Sequence, residues 1–211
     1  MMKIDAVVPR EVAGLLKAEL PLNVMKRLKG YIETAQDNPS DTKSLGLAGN
    51  ISKSLDLVDK DGWFYQYVLI PLINKYIEIY PGYSSDSFIL TNDAPYTLNR
   101  FWVNFQKENE FNPFHNHSGL WSFVVWVKIP TDWREQHALP ISANSTVPCA
   151  SDFGFLYTSM MGDMQYYSYP LDKESEGHML FFPSKLMHGV YPFYNCDEER
   201  ISISGNIYYE N

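Results

Sequence analysis

Residues Asn112 to Ile129, N-P-F-H-N-H-S-G-L-W-S-F-V-V-W-V-K-I, set two imidazoles two residues apart at the mouth of a strongly apolar strand. In extended backbone, side chains i and i+2 share a face, so His115 and His117 are expected to point the same way and Asn116 away. Two imidazoles on one face suit a shared metal ion, but a reactive first-row site usually takes three protein ligands and keeps a position open. The third ligand must come from another part of the chain.

The best candidate is His188, in F-F-P-S-K-L-M-H-G-V-Y-P. Beyond it lie an acidic turn, Asn195 to Glu199, and the segment R-I-S-I-S-G-N. Read with period two, that segment puts Arg200, Ser202, Ser204 and Asn206 on one face and Ile201, Ile203 and Ile207 on the other. An arginine and a serine two apart on a polar strand face suit a small carboxylate, which arginine binds through two parallel charge-assisted hydrogen bonds. Each signal has an ordinary alternative. His115 and His117 also read as surface histidines beside a turn, His188 as a hydrogen-bonded histidine after a turn, and Arg200 as the partner of Asp197, Glu198 or Glu199. The spacing favours the joint reading: 71 residues from His117 to His188 and 12 from His188 to Arg200 fit a two-strand return to one cavity.

The rest of the chain supports a sheet around such a cavity. Asn99 to Gln106 alternates, with Arg100, Trp102, Asn104 and Gln106 on one face and Phe101, Val103 and Phe105 on the other. Further strands are expected from Phe153 to Tyr169, His178 to Phe182 and Arg200 to Tyr208. A lid or an irregular connection fills Thr131 to Asp152. Short strands with turns at this spacing predict a double-sheet jelly roll. Upstream, Leu22 to Ala35 has helical spacing and Ser40 to Lys60 is turn-rich. Gly62 to Tyr80 reads as an apolar helix, buried on most sides, that either kinks at Pro71 or begins at Ile70-Pro71. His137 is assigned to a loop and His178 to a strand start.

Composition removes several function classes. Lys and Arg number 17 against 25 Asp and Glu, a net charge of −8, which disfavours nucleic-acid phosphates and anionic lipid as partners. No apolar run approaches the roughly 20 residues that span a bilayer. Two cysteines, Cys149 and Cys196, make no disulfide framework and read as free thiols. With no secretory signal pattern at the N-terminus, a cytoplasmic location is the expectation. Motifs for P-loop, dinucleotide or serine-hydrolase chemistry do not occur.

The order of parts, H-x-H, strand, G-H-M-L-F-F-P-S, distal histidine and R-x-S, resembles the 2-oxoglutarate/Fe(II)-dependent oxygenases. It is similar to a subgroup with H-x-H where most relatives have H-x-D/E, and A-G-N-I-S-K-S-L-D-L resembles a Gly-Asn…Ser segment found there. The likeness runs from about Leu20 to Asn211, most strongly over Arg100 to Lys128 and Gly177 to Asn206. It implies an α+β, mainly β, double-stranded β-helix (jelly roll, cupin-like) with N-terminal helices packed on one sheet. The implied organisation is one domain over 1–211, helical at about 11–80 and β at about 88–209. It further implies Fe(II) on His115, His117 and His188, and 2-oxoglutarate as co-substrate held by Arg200 and Ser202, with Asn104 and Trp126 as added co-substrate contacts. The reaction implied is hydroxylation of a small molecule or side chain coupled to decarboxylation of 2-oxoglutarate to succinate. Two rival readings stand beside it: a three-histidine cupin-type dioxygenase that uses no 2-oxoglutarate, and a non-enzymatic jelly-roll module. R-x-S after the distal histidine is the feature that separates the first pair.

Overall fold

Alternation along the last long strand organises the fold, because its two faces demand different surroundings. In the computed structural model, which describes residues 13–39, 48–83 and 95–210, this strand is β10 (Arg200–Tyr209). It lies between β3 (Tyr96–Gln106) and β5 (Trp121–Lys128), antiparallel to both. With β1 (Leu16–Glu19), β2 (Lys53–Asp56) and β8 (His178–Pro183) they form a six-stranded sheet in the order β1-β8-β5-β10-β3-β2. A second, four-stranded sheet has the order β4-β9-β6-β7. Its strands are β4 (Asn112–His115), β9 (Met187–Val190), β6 (Phe153–Thr158) and β7 (Met164–Tyr169). Two antiparallel sheets of this connectivity make the expected double-stranded β-helix.

The helices cover the outer face of the large sheet. Helix α1 (Leu22–Asp37) and helix α2 (Ile70–Ile79) place Leu28, Ile32, Ile73 and Tyr76 in one buried cluster with Phe101, Val103, Phe123, Val125 and Ile203. Fully burying a side chain of this size contributes about 1.5–3 kcal/mol, so this apolar layer dominates the stability of the fold. A smaller cluster, including Val124, Trp126, Phe153, Phe155 and Phe182, packs between the sheets.

Several local expectations change. The helical segment starts at Trp63, switches to i→i−5 bonding over Tyr65–Leu69, and resumes as α2 with Pro71 in its first turn. The wide turn resolves the two alternatives at Pro71, since the missing N–H falls where helix bonding restarts. This helix is not buried on most sides: Tyr67 is 70% and Ile79 46% exposed, because only one stripe meets the sheet. Asn112 to Ile129 is two strands in different sheets and not one, since the chain crosses between β4 and β5 at residues 116–120. His137 belongs to a short helix, α3 (Trp133–Ala138), capped by Asp132, in the segment expected to be irregular. Both cysteines are free thiols. The expected N-terminal start at about 11, residues 40–47 and the β start at about 88 lie outside the described residues.

Where β10 passes between Phe101 and Phe123, it carries Gly205. A Cβ there would sit 2.5 Å from the Phe123 ring and 2.8 Å from the Arg100 carbonyl. Gly205→Ala is therefore expected to destabilise the protein by about 1–3 kcal/mol through overpacking, read as a lower urea midpoint at unchanged m-value.

Candidate active site

A cavity of about 310 Å³ opens between the two sheets, and the inner faces of β3, β10 and β5 form its floor. Strand register arranges the floor in four rows. Gln106 faces Arg200; Asn104, Ser202 and Trp126 lie side by side; then Trp102, Ser204 and Val124; then Arg100, Asn206 and Ser122. The period-two reading of β3 and β10 therefore corresponds to the face that lines the cavity.

The small sheet and the crossing loop supply the histidines. His115 ends β4 directly opposite His188 in β9, with ring centroids 4.5 Å apart. His117 lies in the loop before β5, where its backbone N–H donates to the Ser184 carbonyl at 2.8 Å. Its ring is 4.8 Å from that of His115 and 5.1 Å from that of His188. The two imidazoles of H-x-H thus meet because the chain turns between sheets, whereas a shared strand face was expected. One nitrogen from each of the three rings lies within 4.8 Å of the others.

Their chemistry fits a divalent metal. His115 Nδ1 lies 2.7 Å from the Pro113 carbonyl, and His188 Nδ1 2.8 Å from the Leu186 carbonyl. Each contact places the proton on Nδ1 and leaves Nε2 with its lone pair for a ligand, the usual arrangement behind a metal-bound imidazole. Burial also keeps His188 and His117 neutral. His188, packed against Phe153 and Phe182, is pushed down to about 3, mainly by desolvation, and His117 to about 4 by desolvation and then by His115 and Arg100. A common ion needs nitrogen separations of about 3–3.5 Å, so the rings would have to draw closer to share one.

At the other end of the floor stands Arg200, 1% exposed. Its Nη2 donates to the Ser151 carbonyl at 2.9 Å and also to Ser151 Oγ, and Nη1 lies 3.4 Å from Gln106 Oε1. The guanidinium rides over Phe193 at 5.0 Å. No carboxylate pairs with it among the described residues, and Glu198, a competitor in the sequence, pairs instead with Lys128 at 2.7 Å. Its Nε–H is buried with no partner. Desolvation pulls the guanidinium down to about 9, so it remains charged at neutral pH. A desolvated cation with an unused donor fits the far carboxylate of 2-oxoglutarate. Ser202 lies one row further along the same strand face and Asn104 beside it, its Oδ1 accepting from Ser54 Oγ at 2.8 Å. Trp126 stacks on Tyr169 at 5.0 Å and forms an apolar wall.

Sequence reasoning missed what holds Arg200. Ser151 is fully buried with φ +75, a left-handed conformation rare for serine, and this bend aims both its carbonyl and its hydroxyl at the guanidinium. Its neighbour Asp152 accepts from Ser168 and contacts His137 Nε2 at 2.9 Å, tying α3 to the back of the site. Burial raises the Asp152 carboxyl above the usual range, against the pull of Ser168, His137 and Arg200. Nothing in the polar stretch Pro130 to Asp152 distinguishes Ser151 from an ordinary turn residue.

No curated protein matches the chain. Among solved structures it is similar to a prolyl-4-hydroxylase from Pseudomonas putida, with 13% identity, 94% of each chain covered and a TM-score of 0.51. A viral collagen prolyl hydroxylase from Paramecium Bursaria Chlorella virus-1, solved with 2OG, gives 11% identity, 92% and 94% coverage and a TM-score of 0.51. The non-heme alpha ketoglutarate dependent epimerase SnoN from nogalamycin biosynthesis gives 14% identity, 94% and 77% coverage and a TM-score of 0.55. At these identities the likeness establishes the shared fold. Among the described residues, no helix is long and apolar enough to cross a membrane. A family model described as "Putative 2OG-Fe(II) oxygenase" matches residues 100–206, which is just over half of the 211-residue chain and spans the three histidines and Arg200. The chain belongs to the 2-oxoglutarate/Fe(II)-dependent oxygenases.

Proposed function

We propose that this oxygenase hydroxylates a C–H bond of a small molecule or side chain while 2-oxoglutarate is decarboxylated to succinate. In this reading His115, His117 and His188 hold Fe(II), and Arg200 with Ser202 holds the far carboxylate of 2-oxoglutarate. The observation that carries it is Arg200, a buried cation without a carboxylate partner, on the floor of the cavity that the three histidines also line. When bound, iron and 2-oxoglutarate supply the oxidising chemistry. The chain's own residues bind, orient and exclude water. Ser151 and Gln106 fix the guanidinium, the Asn104 carboxamide, anchored by Ser54, presents its Nδ2 donors, and Trp126 with Phe153 keeps one wall dry. The helical part and the β part work as one unit, joined by a common core.

Anaerobic addition of Fe(II) and 2-oxoglutarate is expected to produce the broad visible band of the iron chelate. A three-histidine dioxygenase that binds substrate without 2-oxoglutarate would give no such band. Arg200→Gln is expected to weaken 2-oxoglutarate binding by about 100-fold, the loss of charge-assisted hydrogen bonds, while circular dichroism reports a folded protein. Unchanged affinity in a folded Arg200→Gln would remove the carboxylate assignment. Ser151→Gly relieves the positive φ and deletes one contact to Arg200, so it is expected to raise the 2-oxoglutarate Kd several-fold without lowering Tm by more than a few degrees.

Acid is expected to act through the histidines. His117 and His188 have folded pKa values of about 4 and 3, below the unfolded reference of about 6.5. The unfolded chain therefore takes up protons first as pH falls. Stability from this source is complete above pH 6.5 and is lost progressively between 6.5 and about 3. Thermal melts of the metal-free protein from pH 7 to 4 should show a shallower decline for His117→Ala than for wild type. An identical decline would mean that His117 is not held neutral. His117→Asp is expected to retain iron, since aspartate is the usual ligand type there, whereas His117→Ala should lose much of its iron affinity, measured by anaerobic calorimetry.

A further inference from the structure

The cavity floor runs from a closed end to an open one. Gln106 and Arg200 of the first row are buried, whereas Arg100, at the far end of the same face of β3, is exposed. His117 meets the edge of Trp102 at 6.0 Å between centroids, so the histidine cluster stands over the third row. A co-substrate reaching from Arg200 to the histidines would occupy the first three rows. The fourth, about 7 Å further along the strands, is left for the substrate.

Two side chains of that row are buried, Asn206 at 3% exposure and Ser122, and beside them Ser184 is fully buried in the turn after β8. Ser122 Oγ lies 2.8 Å from Asn206 Oδ1 and 3.0 Å from Ser184 Oγ. Ser122 has one hydrogen to give, and its direction decides what Asn206 shows the cavity. Given to Ser184, it would leave the Ser184 hydrogen buried with no acceptor among the described residues. The order that satisfies both hydroxyls runs from Ser184 to Ser122 and from Ser122 to Asn206 Oδ1. The carboxamide is thereby fixed with Nδ2 toward the ligand space, and Nδ2 has no partner among the described residues.

The surroundings of Nδ2 narrow what it can bind. Oδ1 is taken by Ser122, and Ser122 Oγ by Ser184, so an alcohol or an ammonium group would bury its own hydrogen without an acceptor in this row. Arg100, which completes the row, is exposed and has an interaction of its own, so it is not a desolvated counter-charge. The Asn206 amide is uncharged and does little to offset the desolvation of a carboxylate or phosphate. A neutral carbonyl oxygen meets both conditions, since it accepts a hydrogen bond and brings neither a hydrogen nor a charge.

We propose that the substrate of this site is a neutral carbonyl compound, an amide or ketone whose oxygen accepts from Asn206 Nδ2 one row beyond the histidine cluster. This rests on the oxygenase reading given above. It assigns Asn206 to substrate specificity, and Ser122 with Ser184 to positioning its carboxamide.

The test uses the anaerobic protein loaded with Fe(II) and saturating 2-oxoglutarate, titrated with acetophenone, with α-methylstyrene, which has the same shape but a CH2 in place of the oxygen, and with benzoate. Binding is read from the shift of the visible band and, separately, by calorimetry. Acetophenone should bind at least about fivefold more tightly than either other probe, the scale of leaving a buried donor unpaired. Asn206→Leu should remove that preference. Should Asn206→Leu fail to fold, Asn206→Asp tests the same point in nearly the same shape, because a carboxylate oxygen replaces the donor. Ser122→Ala frees the carboxamide to turn over, and should weaken the preference while leaving affinity for α-methylstyrene unchanged. A preference unchanged in Ser122→Ala overturns the positioning assignment. Equal affinity for acetophenone and α-methylstyrene, tighter binding of benzoate, no binding of acetophenone, or a preference that survives in the folded Asn206 variant overturns the proposal. If the visible band never forms on adding 2-oxoglutarate to the wild type, it is the oxygenase reading that fails, and calorimetry on the metal-free protein still tests the Asn206-dependent preference.

Discussion

The structure depends on one strand being unable to slip. β10 carries isoleucines toward the helices and Arg200, Ser202, Ser204 and Asn206 toward the cavity. Because strand side chains alternate, a shift of one residue would carry the arginine to the face of Phe105 and turn the isoleucines into a polar cavity. The neighbours β3 and β5 have matching two-faced patterns, so the three central strands hold one another in register. All four rows of the floor follow from that, including the distance between the arginine end and the histidine end.

This part of the molecule is legible in the sequence, since period two over eight or more residues is a strong signal and the residues facing the cavity can be read directly from it. Other parts are not. β2 (K-S-L-D) and β9 (M-H-G-V) are four residues each, too short for any period to emerge, and their pairing is a long-range event. β9 carries His188, so the strand bearing one corner of the histidine cluster reads as a residue after a turn. The crossing between β4 and β5 lies in N-H-S-G-L, residues 116–120, where a change of sheet reads as an ordinary turn. Arg200 follows three acidic residues, and only tertiary packing shows that it turns inward to Ser151 and away from Glu198.

A histidine at 117 differs from a carboxylate in more than shape. An aspartate brings its own negative charge and stays ionised beside a cation. A histidine must be kept neutral by its surroundings, and burial together with His115 and Arg100 does this. The same residue composition leaves the cavity with cationic and neutral walls.

The histidine cluster also has a mechanical meaning. His115 and His188 are cross-strand partners in the small sheet, while His117 is pinned through its backbone to Ser184, which follows β8 of the large sheet. Drawing three nitrogens onto one centre would clamp the edge of one sheet to the turn of the other, as a rivet joins two plates. Phe153 from the small sheet and Phe182 from the large one already pack against His188 at that point. Loading the site would therefore stiffen the junction of the two sheets beside the cavity.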